Sequence, residues 1–225
     1  MTSHDGDPGA ARDEATGPLP ATPEIAAHRE MLLRNELQHR VRNMLAIIRS
    51  VFARTVASGG SLEDVADHFQ GRLDAFTRFH AMLGTDPAAR LDLDAMIRDE
   101  LRAFAVDPRI ALGGPDVVLS PDVAQLVGLA LHELATNSIK FGVLSLAAGR
   151  GRLRISWSVA DAGLVLVWDE DEVPVLSAAP VHHGFGREFI EQALPYQTGG
   201  AASFELRRGG MRCTISLPAT GFQRE

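Results

Sequence analysis

Apolar residues recur along the first part of the chain at helical spacing: Leu37, Val41, Met44, Ile48 and Val51 follow one another by four, three, four and three positions. That periodicity predicts a helix from Glu24 to about Val56 with one apolar stripe. Ala57-Ser58-Gly59-Gly60-Ser61 interrupts it, and Val65, Phe69, Leu73, Phe76 and Leu83 resume it, so the segment 24–84 reads as a helical hairpin. The apolar faces are broad enough to pack against each other and against a second copy as a four-helix bundle, and a homodimer is expected. The pattern changes after Gly84-Thr85-Asp86-Pro87. Leu93 to Ala105 looks helical, Val117 to Leu119 makes a short strand, and Ser120-Pro121 supplies an N-cap and a first-turn proline for a long helix. Leu153, Ile155, Trp157 and Val159 alternate with polar residues, Asp161-Ala162-Gly163 turns the chain, and Leu164 to Trp168 returns, which predicts a hairpin. A looser stretch with Pro174 and Pro180 leads through Gly184-Phe185-Gly186 to a helix near Arg187 to Leu194. Phe204 and Leu206, a turn at Gly209-Gly210, and Met211, Cys213, Ile215 and Leu217 predict a second hairpin. Helices mixed with sequential antiparallel hairpins predict an α+β layered domain over 85–225, not a doubly wound parallel sheet.

Composition adds exclusions. A chain of 225 residues, 45% hydrophobic and 23% charged, has room for one or two ordinary cores. Its net charge of −7 argues against a nucleic-acid partner, which calls for a basic excess or stripe. Cys213 is the single cysteine, so no intramolecular disulfide forms and a cysteine-built metal site is disfavoured; a reducing cytoplasm fits. Residues 1–23, rich in Gly, Pro, Ala, Thr and Asp, lack the basic-then-apolar order of a secretory signal and are expected to be a disordered tail. Every apolar run is broken well short of 18 residues, so no membrane span is expected.

Two groups of residues carry candidate chemistry. At about 100° per residue, His39 and Asn43 fall opposite the first helix's apolar stripe, which predicts a solvent-facing His39 able to act as a nucleophile toward phosphorus. Glu36 and Asn43, at i−3 and i+4, are placed to orient the ring, and Arg40 to neutralise an incoming phosphate. On the later helix, Glu133, Asn137 and Lys140 share an arc of roughly 60°, apart from the apolar side marked by Val127, Leu131 and Leu134. An asparagine carbonyl with a nearby carboxylate suits Mg²⁺, and Lys140 offers charge to phosphates. By spacing alone, a solvated helix histidine and a solvated polar face are the commoner outcomes. Gly184 and Gly186 before a helix are compatible with a backbone that approaches phosphate, or with a simple turn. His182 and His183 have no further ligands at suitable spacing and are assigned no metal.

Taken in order from Asn35 to Pro218, these segments resemble the HWE group of bacterial sensor histidine kinases. Glu36-Leu37-Gln38-His39-Arg40-Val41-Arg42-Asn43-Met44-Leu45-Ala46 resembles that group's phosphoacceptor box. His132-Glu133-Leu134-Ala135-Thr136-Asn137 with Lys140-Phe141-Gly142 resembles its nucleotide-binding box, and Trp168-Asp169-Glu170 its Trp-x-Glu motif. The resemblance implies a dimerisation and phosphoacceptor hairpin followed by a Bergerat-type (GHKL) α/β sandwich that binds ATP. It implies phosphorylation on His39, with Glu36, Arg40, Asn43 and Glu133 in supporting catalytic roles. By the same likeness Asn137 holds Mg²⁺, Glu133 supports the metal or its water, Lys140 contacts phosphate, Glu170 accepts from the adenine amino group, and Gly184 and Gly186 complete the nucleotide site. A receiver-domain aspartate of a response regulator is the implied phosphoryl acceptor.

The chain departs from the family pattern in two respects. Where paired glycines normally follow Trp-x-Glu, it has Glu172 and Val173 before Pro174; a Glu172 turned inward would repel polyphosphate, and one turned outward would be harmless. Only about 23 residues precede the first helix, so a signal is expected to come from a separate sensory partner. The altered turn keeps a different function in play, a non-catalytic adaptor or histidine phosphotransfer protein with a degenerate ATP site. A serine kinase on the same scaffold would leave the His39 box without a purpose.

Overall fold

A computed structural model describes residues 23–57, 59, 61–82, 91–145, 151–173 and 185–224. The expected tail, up to residue 22, lies outside the described residues. The chain divides into two compact units, Met1–Ile47 and Ile48–Glu225.

Helix α1 spans Pro23–Ala57, within one residue of the predicted ends. In the first unit its apolar residues Leu32, Leu37, Val41 and Leu45 are exposed, whereas Ile47 is buried. The second unit contains the last turns of α1, where Val51 and Thr55 are buried while Phe52 and Val56 remain exposed. Helix α2 spans Leu62–Met82 and opens on a local cap: Asp64 accepts from the Ser61 amide and hydroxyl, and Ser61 Oγ accepts from the Asp64 amide at 3.1 Å. Phe52 and Phe69 join α1 to α2 edge-to-face, their ring centroids 5.4 Å apart.

Short strand β1 (Leu91–Asp92) leads into α3 (Leu93–Glu100), whose N-cap Asp92 accepts from the Ala95 amide at 2.8 Å. Strands β2 (Ile110–Gly113) and β3 (Val117–Leu119) precede α4 (Pro121–Phe141). Ser120 and Pro121 occupy the predicted capping positions, although the Ser120 side chain makes no cap hydrogen bond. Strands β4 (Arg152–Ala160) and β5 (Gly163–Asp171) form the first expected hairpin, and β6 (Ala201–Arg207) and β7 (Gly210–Leu217) the second. The predicted helix near Arg187 is three pieces: α5 (Phe185–Glu188), a π turn at Phe189–Ala193, and α6 (Leu194–Thr198). Pro195 removes an amide from the ladder, which accounts for the break at that point.

A five-stranded sheet has the order β2-β4-β5-β7-β6, antiparallel except for the β2–β4 pair. Strand β3 pairs with β1 on one side and with β8 (Phe222–Arg224) on the other in a small second, antiparallel sheet. Alternate positions Leu153, Ile155, Trp157, Leu164, Leu166, Trp168, Cys213, Ile215 and Leu217 are buried, and α3 and α4 bury Met96, Ile97, Leu129, Leu131 and Leu134. One face of the sheet thus meets a helical layer, the α+β arrangement expected. None of the described helices is long and apolar enough to cross a membrane.

Candidate nucleotide site

The residues singled out on α4 do lie along one helix face, and that face runs from buried to exposed. Glu133 is buried, Asn137 half-buried and Lys140 exposed. Glu133 is covered by α2: Arg72 donates from Nε to Oε1 at 2.7 Å and from Nη2 to Oε2 at 3.2 Å, a two-point contact. Arg72 also donates from Nη1 to Thr55 Oγ1 at 2.8 Å. The side chains of Arg72 and Glu133 are only 8% and 6% exposed, so each charge depends on the other. Gly186 also lies against Glu133; a Cβ built at 186 would come within 2.5 Å of Oε2.

About two turns further along α4, Lys140 Nζ donates to His68 Nε2 of α2, which requires an unprotonated imidazole there. The surroundings agree: burial and then the charges of Lys140 and Arg72 push the His68 pKa below its usual 6.5. A third contact joins α2 to the same unit. Arg78 donates to Glu100 Oε2 at 2.8 Å, and His132 Nδ1 donates to Glu100 Oε1 at 2.8 Å. Burial raises the Glu100 carboxyl, but the hydrogen bond and charge of His132, with Arg78, outweigh it and bring the pKa below the ordinary carboxylate value.

Glu170, at the end of β5, is fully buried next to the C-terminal end of α4. Its Oε1 accepts from the Trp168 indole at 2.9 Å and its Oε2 from the Val143 amide at 2.9 Å. The Val143 carbonyl in turn accepts from Arg109 Nη1 at 3.1 Å, so the turn after α4 is held from two directions. Trp168 therefore orients the glutamate two residues away, and Gly142 leaves it room.

The structure brings Glu133, Asn137, Lys140, Glu170 and Gly186 into one unit. Gly184 lies outside the described residues, as do the side chains of Glu36, His39, Arg40 and Asn43, whose backbone belongs to α1 in the other unit. The expected exposure of His39 therefore falls outside what is described. Glu172 is exposed, with φ of 56°, the left-handed conformation that favours glycine. It lines a shallow groove with Arg109, Arg152 and Arg154.

Among the described residues no three His, Cys, Asp or Glu side chains cluster as a metal cage. Mg²⁺ carried by a polyphosphate would keep most of its waters and take few protein ligands. Asn137 fits such a role, since its half-buried carboxamide has no hydrogen-bond partner among the described residues. Cys213 is unsuited to chemistry: burial, then the charge of Glu191, pushes its thiol up to about 12.

Sequence reasoning missed Arg72, although a signal was present. At 100° per residue Arg72 falls about 20° from Val65, at the edge of the apolar stripe of α2. An arginine in that position calls for a buried anionic partner.

Comparison with known proteins bears on the family. The family model for HWE histidine kinases matches residues 36–116. Blue-light-activated histidine kinase 1 of Erythrobacter litoralis is 33% identical over 193 residues, covering 81% of this chain and 52% of the relative. The blue-light-activated histidine kinase of Rhizobium johnstonii is 30% identical over 200 residues, covering 88% and 55%. The chain thus spans about half the length of these relatives. Among solved structures, the Erythrobacter litoralis EL346 blue-light activated histidine kinase superposes with a TM-score of 0.58 at 17% identity, covering 83% of this chain and 58% of that one, a likeness of fold.

Proposed function

We propose that this chain, which belongs to the HWE histidine kinase family, uses its second unit to bind Mg-ATP and transfers the γ-phosphoryl group to His39. A bond from an imidazole nitrogen to phosphorus forms as the bond from phosphorus to the bridging oxygen breaks; ADP leaves and the ring loses a proton. The phosphoryl group then passes to the aspartate of a response-regulator receiver domain. The observation that carries this reading is the fit of two motif glycines against two motif glutamates, Gly142 on Glu170 and Gly186 on Glu133. Spacing alone gives a solvated helix no reason for either contact.

Within this reading Glu170, fixed by Trp168 and Val143, receives the adenine amino group, and Lys140 binds phosphate. Asn137 holds the metal, which when bound neutralises charge on the β- and γ-phosphates. Glu36 and Asn43 orient His39, Arg40 meets the phosphoryl group, and Gly184 and Gly186 complete the nucleotide site. The proposed division is a phosphoacceptor hairpin over 24–84 and an ATP-binding domain over 85–225. The exposed α1 residues Leu37, Val41 and Leu45 support burial against a second copy, hence a homodimer, and the proposed location is the cytoplasm.

Calorimetry with Mg-ATP tests the reading. Wild type is expected to bind and Asn137→Asp to lose binding while keeping its circular dichroism spectrum. Equal affinity in the two proteins contradicts it. The adaptor alternative rests on the altered turn, and Glu172 in the left-handed conformation there retains the backbone geometry for which glycine is suited.

A further inference from the structure

We propose that α2 is a detachable clamp on α4 that competes with Mg-nucleotide for the same two side chains, Glu133 and Lys140. The inference rests on the nucleotide-site reading above and adds to it a coupling between docking of α2 and nucleotide affinity.

Both oxygens of Glu133 are taken by the Arg72 guanidinium. Lys140 is taken by His68, one turn before Arg72 on the same helix. A carboxylate that assists a metal or its water must give up the guanidinium, and a lysine that contacts phosphate must leave the imidazole. The remaining contacts hold α2 without touching those groups: Ala75 and Phe76 are buried, Arg78 meets Glu100, and Gly71 passes over His132, where a Cβ would make ordinary contact with Nε2 at 3.5 Å. The clamp therefore has one part on nucleotide-binding groups and one part beside them. Linkage makes the competition reciprocal: a ligand that displaces α2 is bound more tightly by a protein in which α2 is already loosened.

The two parts give separate handles. Arg72→Gln removes a cation near the phosphate site and exposes Glu133, so its effect mixes direct and indirect terms. Arg78→Ser does not. Arg78 is 39% exposed, and its removal leaves Glu100 hydrogen-bonded to His132, so the fold is retained. The full chain is titrated with Mg-ATP by calorimetry as wild type, Arg78→Ser and Asn137→Asp, and amide exchange of residues 65–78 is followed in wild type with and without saturating Mg-ATP.

The expected result is at least about threefold tighter binding by Arg78→Ser, equivalent to roughly 0.6 kcal/mol, with faster exchange in 65–78 when nucleotide is present. If wild type binds in an Asn137-dependent way but Arg78→Ser binds equally or more weakly, or exchange in 65–78 is unchanged or slowed, the clamp is overturned and the nucleotide site stands. If wild type binds no Mg-ATP, the nucleotide-site reading fails and the clamp fails with it.

Discussion

Glu170 and Gly142 are matched so closely that position 142 has no space for a side chain. A Cβ there would overlap Glu170 Oε2 and come within 2.8 Å of Ser138 Cα. The buried carboxylate is fixed by Trp168 and Val143, so neither partner can yield without breaking a charge-assisted hydrogen bond. Gly142→Ala is expected to destabilise the protein by about 1–3 kcal/mol through overpacking. Mg-ATP binding should weaken by about tenfold or more, roughly 1.4 kcal/mol. Denaturant titration and calorimetry check the two effects, and a neutral substitution on both counts would remove Glu170 from the site.

The buried pair of Arg72 and Glu133 makes its own prediction. Removing one partner strands the other charge and should cost about 3–5 kcal/mol, whereas replacing both with apolar residues of similar size should cost far less. Arg72→Met and Glu133→Leu, singly and together, give that comparison by urea unfolding. Additive losses in the double variant would mean that the two groups do not depend on each other.

Glu172 holds a conformation that costs a side-chain-bearing residue about 1–2 kcal/mol. Glu172→Gly removes that strain and adds unfolded-state entropy of about 0.4–1 kcal/mol. The net expectation is stabilisation of up to roughly 1 kcal/mol, read as a raised urea midpoint with an unchanged m-value; a lowered midpoint would contradict it.

The contact of His68 with Lys140 should weaken in mild acid. His68 titrates in the folded protein below its ordinary 6.5, because burial, Lys140 and Arg72 disfavour its charged form, with Glu133 and Asp64 acting in the opposite sense. Between the folded pKa and 6.5 the unfolded chain binds more protons, so the stability contributed by neutral His68 is present above 6.5 and declines as pH falls below it. Thermal melts from pH 7.5 to 5.5 should show that decline in wild type and less of it in His68→Gln. Parallel declines in both proteins would exclude His68 as the source.

The larger architecture was legible because its elements are long and periodic. Alternation through Leu153, Ile155 and Trp157 locates β4, and Ser120-Pro121 marks the start of α4 to the residue. Strands β1, β2 and β8 were missed because two to four residues carry no usable period; their pairing is set by distant partners such as Leu153 opposite Ile110. The motif residues on α4 could be listed from sequence, but their burial could not. That depends on Arg72, 61 positions away from Glu133 and at the edge of a stripe read as purely apolar. Likewise, Gly142 and Gly186 are recognisable as glycines of a motif, and only the folded backbone shows that each lies against a glutamate.

The central claim is phosphoryl transfer from ATP to His39. Its most direct measurement is incubation of the purified protein with γ-labelled ATP and Mg²⁺, as wild type and His39→Ala, followed by acid treatment of the labelled chain. Acid-labile label present in wild type and absent from the variant is the predicted result. Label that survives acid, or that persists in His39→Ala, would contradict it.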